Sequence, residues 1–290
     1  MTTLSNPPAP LVGLRGRQRI APFVLARPGG VAEAIALGQA PGSAWMGGGV
    51  DLMDGLKRGM PLDRLVPLGA LAELGTISRC EDGVLRVGAL ATYQDLADSA
   101  VVREAAPDLA ALIGTVANFR IRSKATVGGS VMSGNGQYDL MPALLALGAV
   151  LVLAGPDGDA RVPAAALVPD EPRLLRAVEI PARETARLRV DRTLRPAVCV
   201  YLGLAFHGGA VVRLRAAVSC AHPRPVLAEL GPDRVAAADP ARDAAALADE
   251  LAAGLPSPVD DGTASAPYRR RVIPVLIRRL LEASSTEPQA

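Results

Sequence analysis

Short apolar runs broken by glycine and proline, with no sustained repeat, pattern this chain. Phe23-Val24-Leu25 is an apolar run closed by Arg27-Pro28-Gly29-Gly30, which predicts a short strand and a turn. Val31 to Leu37 presents an Ala-rich face at helical spacing and predicts a short helix. Ala44 to Met46 predicts a strand, Gly47-Gly48-Gly49 a tight loop, and Val50 to Lys57 a helical turn or short helix. Arg64 to Leu68 predicts a strand, and residues 71–77 a turn leading into another. Glu81-Asp82-Gly83 is a hairpin signal answered by the run from Val84 to Leu90. Thr92 predicts a helix N-cap, with Asp95 in the first turn of a helix through Asp98. A second helix is expected over Pro107 to Phe119, with Asn118 helping to end it. The stretch from Ile121 to Gly148 then crosses Gly128-Gly129, a loop of small residues and Asp139, and enters a buried helix at Met141–Leu147. Val150 to Gly155 predicts a buried strand.

From Ala160 the pattern loosens. Four prolines leave loop and one strand, Leu174–Ile180, and the charged segment 182–195 predicts a domain boundary. Two apolar runs flanking His207-Gly208-Gly209 predict a hairpin. Ala-rich helices near Pro240–Ala253 and Ala266–Leu281 follow, the last with Arg278 and Arg279 complementing its C-terminal end. Residues 1–18, polar and Pro-rich, predict a loose arm, and those after Ala283 a disordered tail. The order is mixed α and β without a regular βαβ repeat.

Composition narrows the picture. Hydrophobic residues make up 50% of the 290, enough for a sizeable core, but aromatics only 3%, so Leu, Val and Ala must build it. Lys plus Arg number 31 against 29 acidic residues; a balance of +2 gives no footprint for nucleic acid or an anionic membrane. Cys80, Cys199 and Cys220 are far apart, form no CxxC pair and make no metal-ligand cluster with His207 and His222. Structural disulfides are not expected, and a reducing cytoplasm is. No run reaches membrane-spanning length, and the N-terminus has no signal-peptide core.

Two glycine-rich stretches carry the candidate chemistry. The order strand, Gly47–Gly49, helix is what anion binding at a helix start requires. The pair Gly128-Gly129 lets backbone approach a ligand closely, and N–H groups exposed in such a loop hold an anion such as a pyrophosphate. The plainer reading of each is an ordinary turn. A dinucleotide fingerprint of the GxGxxG type fails, because Leu52 stands where the last glycine is needed.

Taken together, five motifs in order resemble one family. They are FVLARPGGVAEAIAL, MGGGVDLMDGLKRG, the long segment from LRVGALATYQDL to IRSKATVGGSV, DLMPALLALGA, and CAHPRPV with YRRRVIPVLIRRLLEA. Over residues 20–283 the chain resembles the FAD-binding medium subunit of the molybdenum hydroxylases, of the xanthine dehydrogenase and aerobic carbon monoxide dehydrogenase type. The resemblance implies an α+β fold: a two-subdomain FAD-binding domain of the vanillyl-alcohol-oxidase type over residues 17–185, divided near 75. A smaller domain over 190–284, an antiparallel sheet packed by helices, would follow.

It also implies residue roles. Gly47, Gly48, Gly49, Val50, Asp51 and Leu52, preceded by Met46, would wrap the pyrophosphate. Thr126, Val127, Gly128, Gly129 and Ser130 would form a second wall, so that valine at Gly128 would lower FAD content without unfolding the chain. Asp139 would accept hydrogen bonds from sugar hydroxyls. Val116 and Leu175 would pack against the cofactor, and Arg192 or Arg195 would stand near the flavin ring. Ser130 replaces the usual Asn, and MSGNGQYD replaces the usual Ala- and Pro-containing loop. Tyr138 in that loop reads as a loop aromatic rather than a stacking platform. Partners would be a 2Fe–2S chain and a large molybdopterin chain in a heterotrimer, with NAD, oxygen or a quinone as acceptor. The alternatives are a stand-alone flavin oxidase, disfavoured because the only two histidines lie near the C-terminus, and a cofactor-free scaffold of the same fold.

Overall fold

The computed structural model describes residues 20–168, 170–182, 186–240 and 242–284. The expected N-terminal arm and the tail beyond Ser284 lie outside the described residues. Three sheets and the helices between them form the fold.

The first unit reads β1 (Val24–Leu25), α1 (Val31–Gly38), β2 (Ser43–Met46), α2 (Val50–Lys57) and β3 (Arg64–Pro67). These strands form a parallel sheet in the order β1-β3-β2. Ala34 and Ile35 of α1 pack with Val66, Leu68 and Leu74, while Leu56 of α2 meets Leu62 and Leu65. Trp45 is fixed by its indole N–H, which donates to the Ala34 carbonyl at 2.7 Å.

The second unit opens with the expected hairpin, β4 (Ile77–Arg79) against β5 (Leu85–Gly88). Helices α3 (Tyr93–Asp98), α4 (Ala100–Ala105), α5 (Pro107–Thr115), α6 (Phe119–Arg122), α7 (Val127–Met132) and α8 (Leu140–Leu147) follow. Then come β6 (Val150–Gly155), β7 (Gly158–Pro163) and β8 (Leu174–Ile180). The sheet runs β4-β5-β8-β6-β7, antiparallel throughout. Thr92 and Asp95 form a full capping box at the start of α3. The helix expected to reach Phe119 stops at Thr115: Val116 is extended and Ala117 adopts φ 49°. Asn118 therefore starts a helix instead of ending one, its side chain accepting from the Ile121 N–H at 3.2 Å. Every residue of α8 is buried, which explains its uninterrupted apolar sequence.

The third unit holds β9 (Ala186–Arg192), β10 (Cys199–His207), β11 (Ala210–Ser219) and β12 (Val226–Leu230), in the order β12-β11-β10-β9. Helices α9 (Pro232–Ala236), α10 (Ala244–Ala253) and α11 (Ala266–Ala283) complete it. Gly208 and Gly209, with φ 57° and 82°, make the two-residue turn between β10 and β11. Alternation along β10 divides its two faces. Val198, Val200, Leu202 and Leu204 meet α10 and α11, while Cys199 and Tyr201 join the core of the second unit around α8. Gly203 lies on the latter face, and a β-carbon there would overlap the Ala146 carbonyl of α8. The predicted boundary at 182–195 is thus largely strand β9, with Ala186 and Leu188 buried in the shared core.

Candidate functional site

The first glycine run leaves β2 and enters α2 with Gly49 at φ 76°, a conformation only glycine adopts without strain. Its N-cap position offers no side-chain acceptor to the helix. Among the described residues, the N–H groups of Gly48, Gly49, Val50 and Asp51 find no backbone or side-chain acceptor. Four unused donors at a helix start are what an anion site requires.

The second glycine pair behaves differently from its prediction as an open loop. It forms α7, with Thr126 as N-cap. Val127 N–H donates to Ala91 O at 2.9 Å, Gly128 N–H to Ala89 O at 2.7 Å and Ser130 N–H to Thr126 O at 3.0 Å. Gly129 N–H is taken by Thr126 Oγ1 at 3.1 Å. The second wall therefore supplies no spare main-chain donor. A β-carbon on Gly128 would press on Ala89 Cβ and O at 2.9 and 3.0 Å, so this glycine serves helix packing. Valine at Gly128 should then disturb packing as well as ligand, contrary to the expectation from sequence. On Gly129 a β-carbon would meet only Thr126 Oγ1, at 3.1 Å, and otherwise open space. Gly129 is the bare surface of this wall.

The two stretches are brought face to face. A β-carbon on Gly48 would overlap the Lys124 carbonyl oxygen, and one on Gly47 would lie 2.6 Å from Thr126 Oγ1. Between and beside them opens a cleft of about 710 Å³. Met46, Gly47, Gly48, Gly49, Val50, Asp51, Leu52, Val116, Thr126, Gly129, Ser130 and Asp139 all line it. A second cavity of about 290 Å³ adjoins, sharing Trp45, Gly47, Thr126, Gly129 and Met132; Gly128 and Leu175 lie on it. Val127 is core and lines neither. Arg192, at the exposed end of β9, and Arg195, in the following turn, line neither cavity.

Tertiary structure adds side chains that the sequence did not single out. Tyr201, fully buried on β10, donates its hydroxyl to Asp139 Oδ1 and so fixes the carboxylate at the cleft wall. Burial, reinforced by the Asp139 charge, pushes the Tyr201 phenol far up, so it stays a donor at any physiological pH. Tyr93, buried, lines the cleft together with Ser130, the residue that stands where the family resemblance leads one to expect Asn. Tyr138 is not a free loop aromatic: its hydroxyl reaches across the cleft mouth to Asp51 Oδ1. Burial and that carboxylate raise the Tyr138 phenol to about 12. Arg224 lies on the second cavity against Gly134, with no acidic partner among the described residues. Among the described residues that line the large cleft, Arg58 is the one cation, and it is paired with Asp54 at 3.0 Å.

An extended dinucleotide fits this arrangement. A volume of this size is that of a small-molecule site. Free main-chain donors suit a diphosphate, the held carboxylate of Asp139 suits sugar hydroxyls, and Leu167, Leu174 and Leu175 give the second cavity an apolar wall for an aromatic end.

The comparisons with known proteins point the same way. Residues 21–183 match the family model described as "FAD binding domain in molybdopterin dehydrogenase". The xanthine dehydrogenase FAD-binding subunit of Escherichia coli O157:H7 is 32% identical over 135 residues, 46% of this chain and 46% of that one, so the aligned stretch spans about half of each. The carbon monoxide dehydrogenase medium chain of Afipia carboxidovorans is 30% identical over 279 residues, covering 88% of this chain and 94% of that one. Among solved structures, reconstituted CO dehydrogenase from Oligotropha carboxidovorans superposes with a TM-score of 0.79 at 25% identity, covering 90% of this chain and 97% of that one.

Proposed function

The chain belongs to the family of FAD binding domains in molybdopterin dehydrogenases, and on that premise we propose that it is the electron-transfer flavoprotein subunit of a molybdenum hydroxylase complex. In this reading a partner chain with 2Fe–2S clusters delivers electrons, a large molybdopterin chain transforms the substrate, and NAD, a quinone or oxygen accepts the electrons in the cytoplasm. In this reading the FAD-binding domain is assigned to residues 17–185 and a covering domain to 190–284.

One observation carries this reading. Two glycine segments roughly eighty residues apart in sequence meet edge to edge, and the first presents unused N–H donors into the cleft they enclose. FAD, when bound, supplies the one- and two-electron redox chemistry. The chain's part is to hold it. Gly48, Gly49, Val50 and Asp51 offer N–H groups to the diphosphate. Asp139, held by Tyr201, accepts from sugar hydroxyls, and Val116 and Leu175 exclude water from the ring systems. Arg224, which lines the second cavity, is a further cation for the place near the flavin ring where the resemblance implies Arg192 or Arg195. The reading calls on no nucleophile–base pair of this chain, and proton uptake by the reduced flavin balances the electrons it receives.

The test is flavin content. Purified protein should carry about one FAD per chain by visible spectrum, and should co-purify with an iron–sulfur and a molybdopterin chain when expressed with them. Gly129→Val puts its side chain into the cleft and is expected to cut FAD content at least tenfold, by roughly 1.4 kcal/mol or more, with unchanged thermal unfolding of the apoprotein. Full occupancy in that variant would overturn the placement of the diphosphate. Tyr138→Phe removes the bond across the mouth while keeping the ring; released-flavin fluorescence should rise several-fold faster after dilution, and an unchanged release rate would deny Tyr138 a closing role.

A further inference from the structure

Cys199 and Cys220, 21 residues apart, bring their sulfurs to 3.8 Å of one another on the face of the C-terminal sheet that packs on the core around α8. Cys199 is the first residue of β10 and pairs in register with Ser219, the last of β11. Cys220 follows directly, at φ 64°, so the chain turns in the left-handed region and swings its side chain back over its neighbour strand. The environments differ. Cys199 is buried in the core, whereas Cys220 is half-buried. The hydrogen bond with Cys220, and then burial, hold the Cys199 thiol well above its ordinary range. Hydrogen bonding with Cys199, and with Ser219, draws the Cys220 thiol below its ordinary range. A more acidic, half-buried thiol backed by a buried one is the arrangement of a peroxide-reactive cysteine with its resolving partner.

We infer that Cys220 is a site of oxidation by hydrogen peroxide, resolved by Cys199 into an intramolecular disulfide. The Cys220 thiolate attacks one peroxide oxygen; the O–O bond breaks, hydroxide leaves and takes up a proton, and Cys220 becomes a sulfenic acid. Cys199 sulfur then attacks Cys220 sulfur, the S–O bond breaks, and the departing hydroxide leaves as water with the Cys199 proton. Two thiols lose two electrons, one peroxide gains them, and two waters form.

The reaction reaches the cleft through two backbone bonds. Cys220 N–H donates to Gly136 O at 2.7 Å, and Gly136 N–H donates to Pro223 O at 3.1 Å. Gly136 belongs to the loop that carries Tyr138 to Asp51 and leads into Asp139. Joining sulfurs now 3.8 Å apart into a bond of about 2.0 Å displaces Cys220 and the loop tied to it. Oxidation should therefore loosen the cofactor, a consequence that rests on the FAD reading, whereas the thiol chemistry does not.

The experiment uses the flavin-loaded protein carrying Cys80→Ser, which removes the exposed third thiol on β4's far turn. Hydrogen peroxide should abolish both remaining thiols, lower the mass by two hydrogens and be reversed by dithiothreitol, with the protein still monomeric on non-reducing gels. Adding Cys199→Ser should leave a dimedone-reactive sulfenic acid at Cys220, and adding Cys220→Ser should leave Cys199 as an unreacted thiol. Retention of both thiols, equal reaction of the two serine variants, or intermolecular bridges alone would overturn the site. Flavin release from the oxidised form should quicken about tenfold, at the lower end of ordinary coupling between sites; an unchanged rate with the disulfide formed would overturn the link to the cleft. Disulfide formation in a chain that never binds FAD would instead count against the functional reading alone.

Discussion

Valine in place of Gly48 is expected to abolish FAD binding and destabilise the chain together. The β-carbon would overlap the Lys124 carbonyl oxygen, a backbone atom with no rotamer to escape into. Relief requires the loop before α2 and the segment before α7 to separate. Those segments are the two walls of the large cleft, so its geometry is lost with their contact. Overpacking of this kind costs about 3 kcal/mol or more, which for a chain of this size lowers the melting temperature by roughly 6–12 °C. The comparison with Gly129→Val gives the prediction its edge. Gly129 faces open cleft, so its variant should lose flavin at an unchanged melting temperature, whereas the Gly48 variant should lose both. Calorimetry of the two apoproteins beside their visible spectra decides it. A Gly48→Val protein that melts like its parent would mean the two walls do not touch.

Arg269→Met should be the most damaging substitution outside the cleft. Arg269 is 1% exposed, on the buried face of α11. Its Nε donates to Ala197 O at 3.0 Å, Nη1 to Val259 O at 2.6 Å, and Nη2 to both Asp261 oxygens at 2.9 and 2.8 Å. One guanidinium thus ties the turn before β10, the loop before α11 and the helix itself. Methionine fills part of the volume but leaves two carbonyls without a donor. The expected loss is about 2 kcal/mol or more, at roughly 1–3 kcal/mol for each carbonyl left unpaired, measured as a lower denaturant midpoint. Lysine should not rescue it, because one ammonium cannot reproduce the fork. The same contact sets an acid limit. Arg269, with help from the Thr263 and Ala264 N–H groups, depresses Asp261 to about 2. A depressed carboxylate stabilises the folded state fully above its unfolded pKa, from about 4 upward. That contribution falls away as pH drops toward 2, and the wild-type chain should lose stability over this window. The Arg269→Met variant should show a shallower fall there. An equal fall in both would assign the acid sensitivity elsewhere.

Much of the architecture was legible because its causes are local. The capping box at Thr92 and Asp95, the Gly208-Gly209 turn, helix α2 behind three glycines and the wholly apolar α8 each carry their signal within a few residues. Strands β7 and β9 were missed because each is a sheet edge, where polar outward positions dilute the apolar pattern, whereas β12, also an edge, is only five residues long. In β9 the alternation of Ala186, Leu188 and Val190 with Arg187, Arg189 and Asp191 was present, and reading the segment as a charged linker hid it. At Phe119 helical periodicity ran on past the true end, because the stop is the extended Val116 and the left-handed Ala117, residues with no breaker signature.

By itself the sequence determined the family, the cofactor class and the two glycine segments, since glycine is required wherever backbone must approach backbone or ligand and leaves its mark in the chain. Which task each glycine performs was decided only by tertiary structure. Gly128 and Gly129 are neighbours of one type, yet one packs against Ala89 and the other faces the cleft. The free donors proved to be those of residues 48–51, because Ala89, Ala91 and Thr126 already take the others. Tyr201 beside Asp139, Tyr138 across to Asp51, and Cys220 against Cys199 join residues distant in sequence, and no local pattern encodes such meetings. Hydrogen bonds and burial are properties of neighbours in space, and the fold alone assigns those.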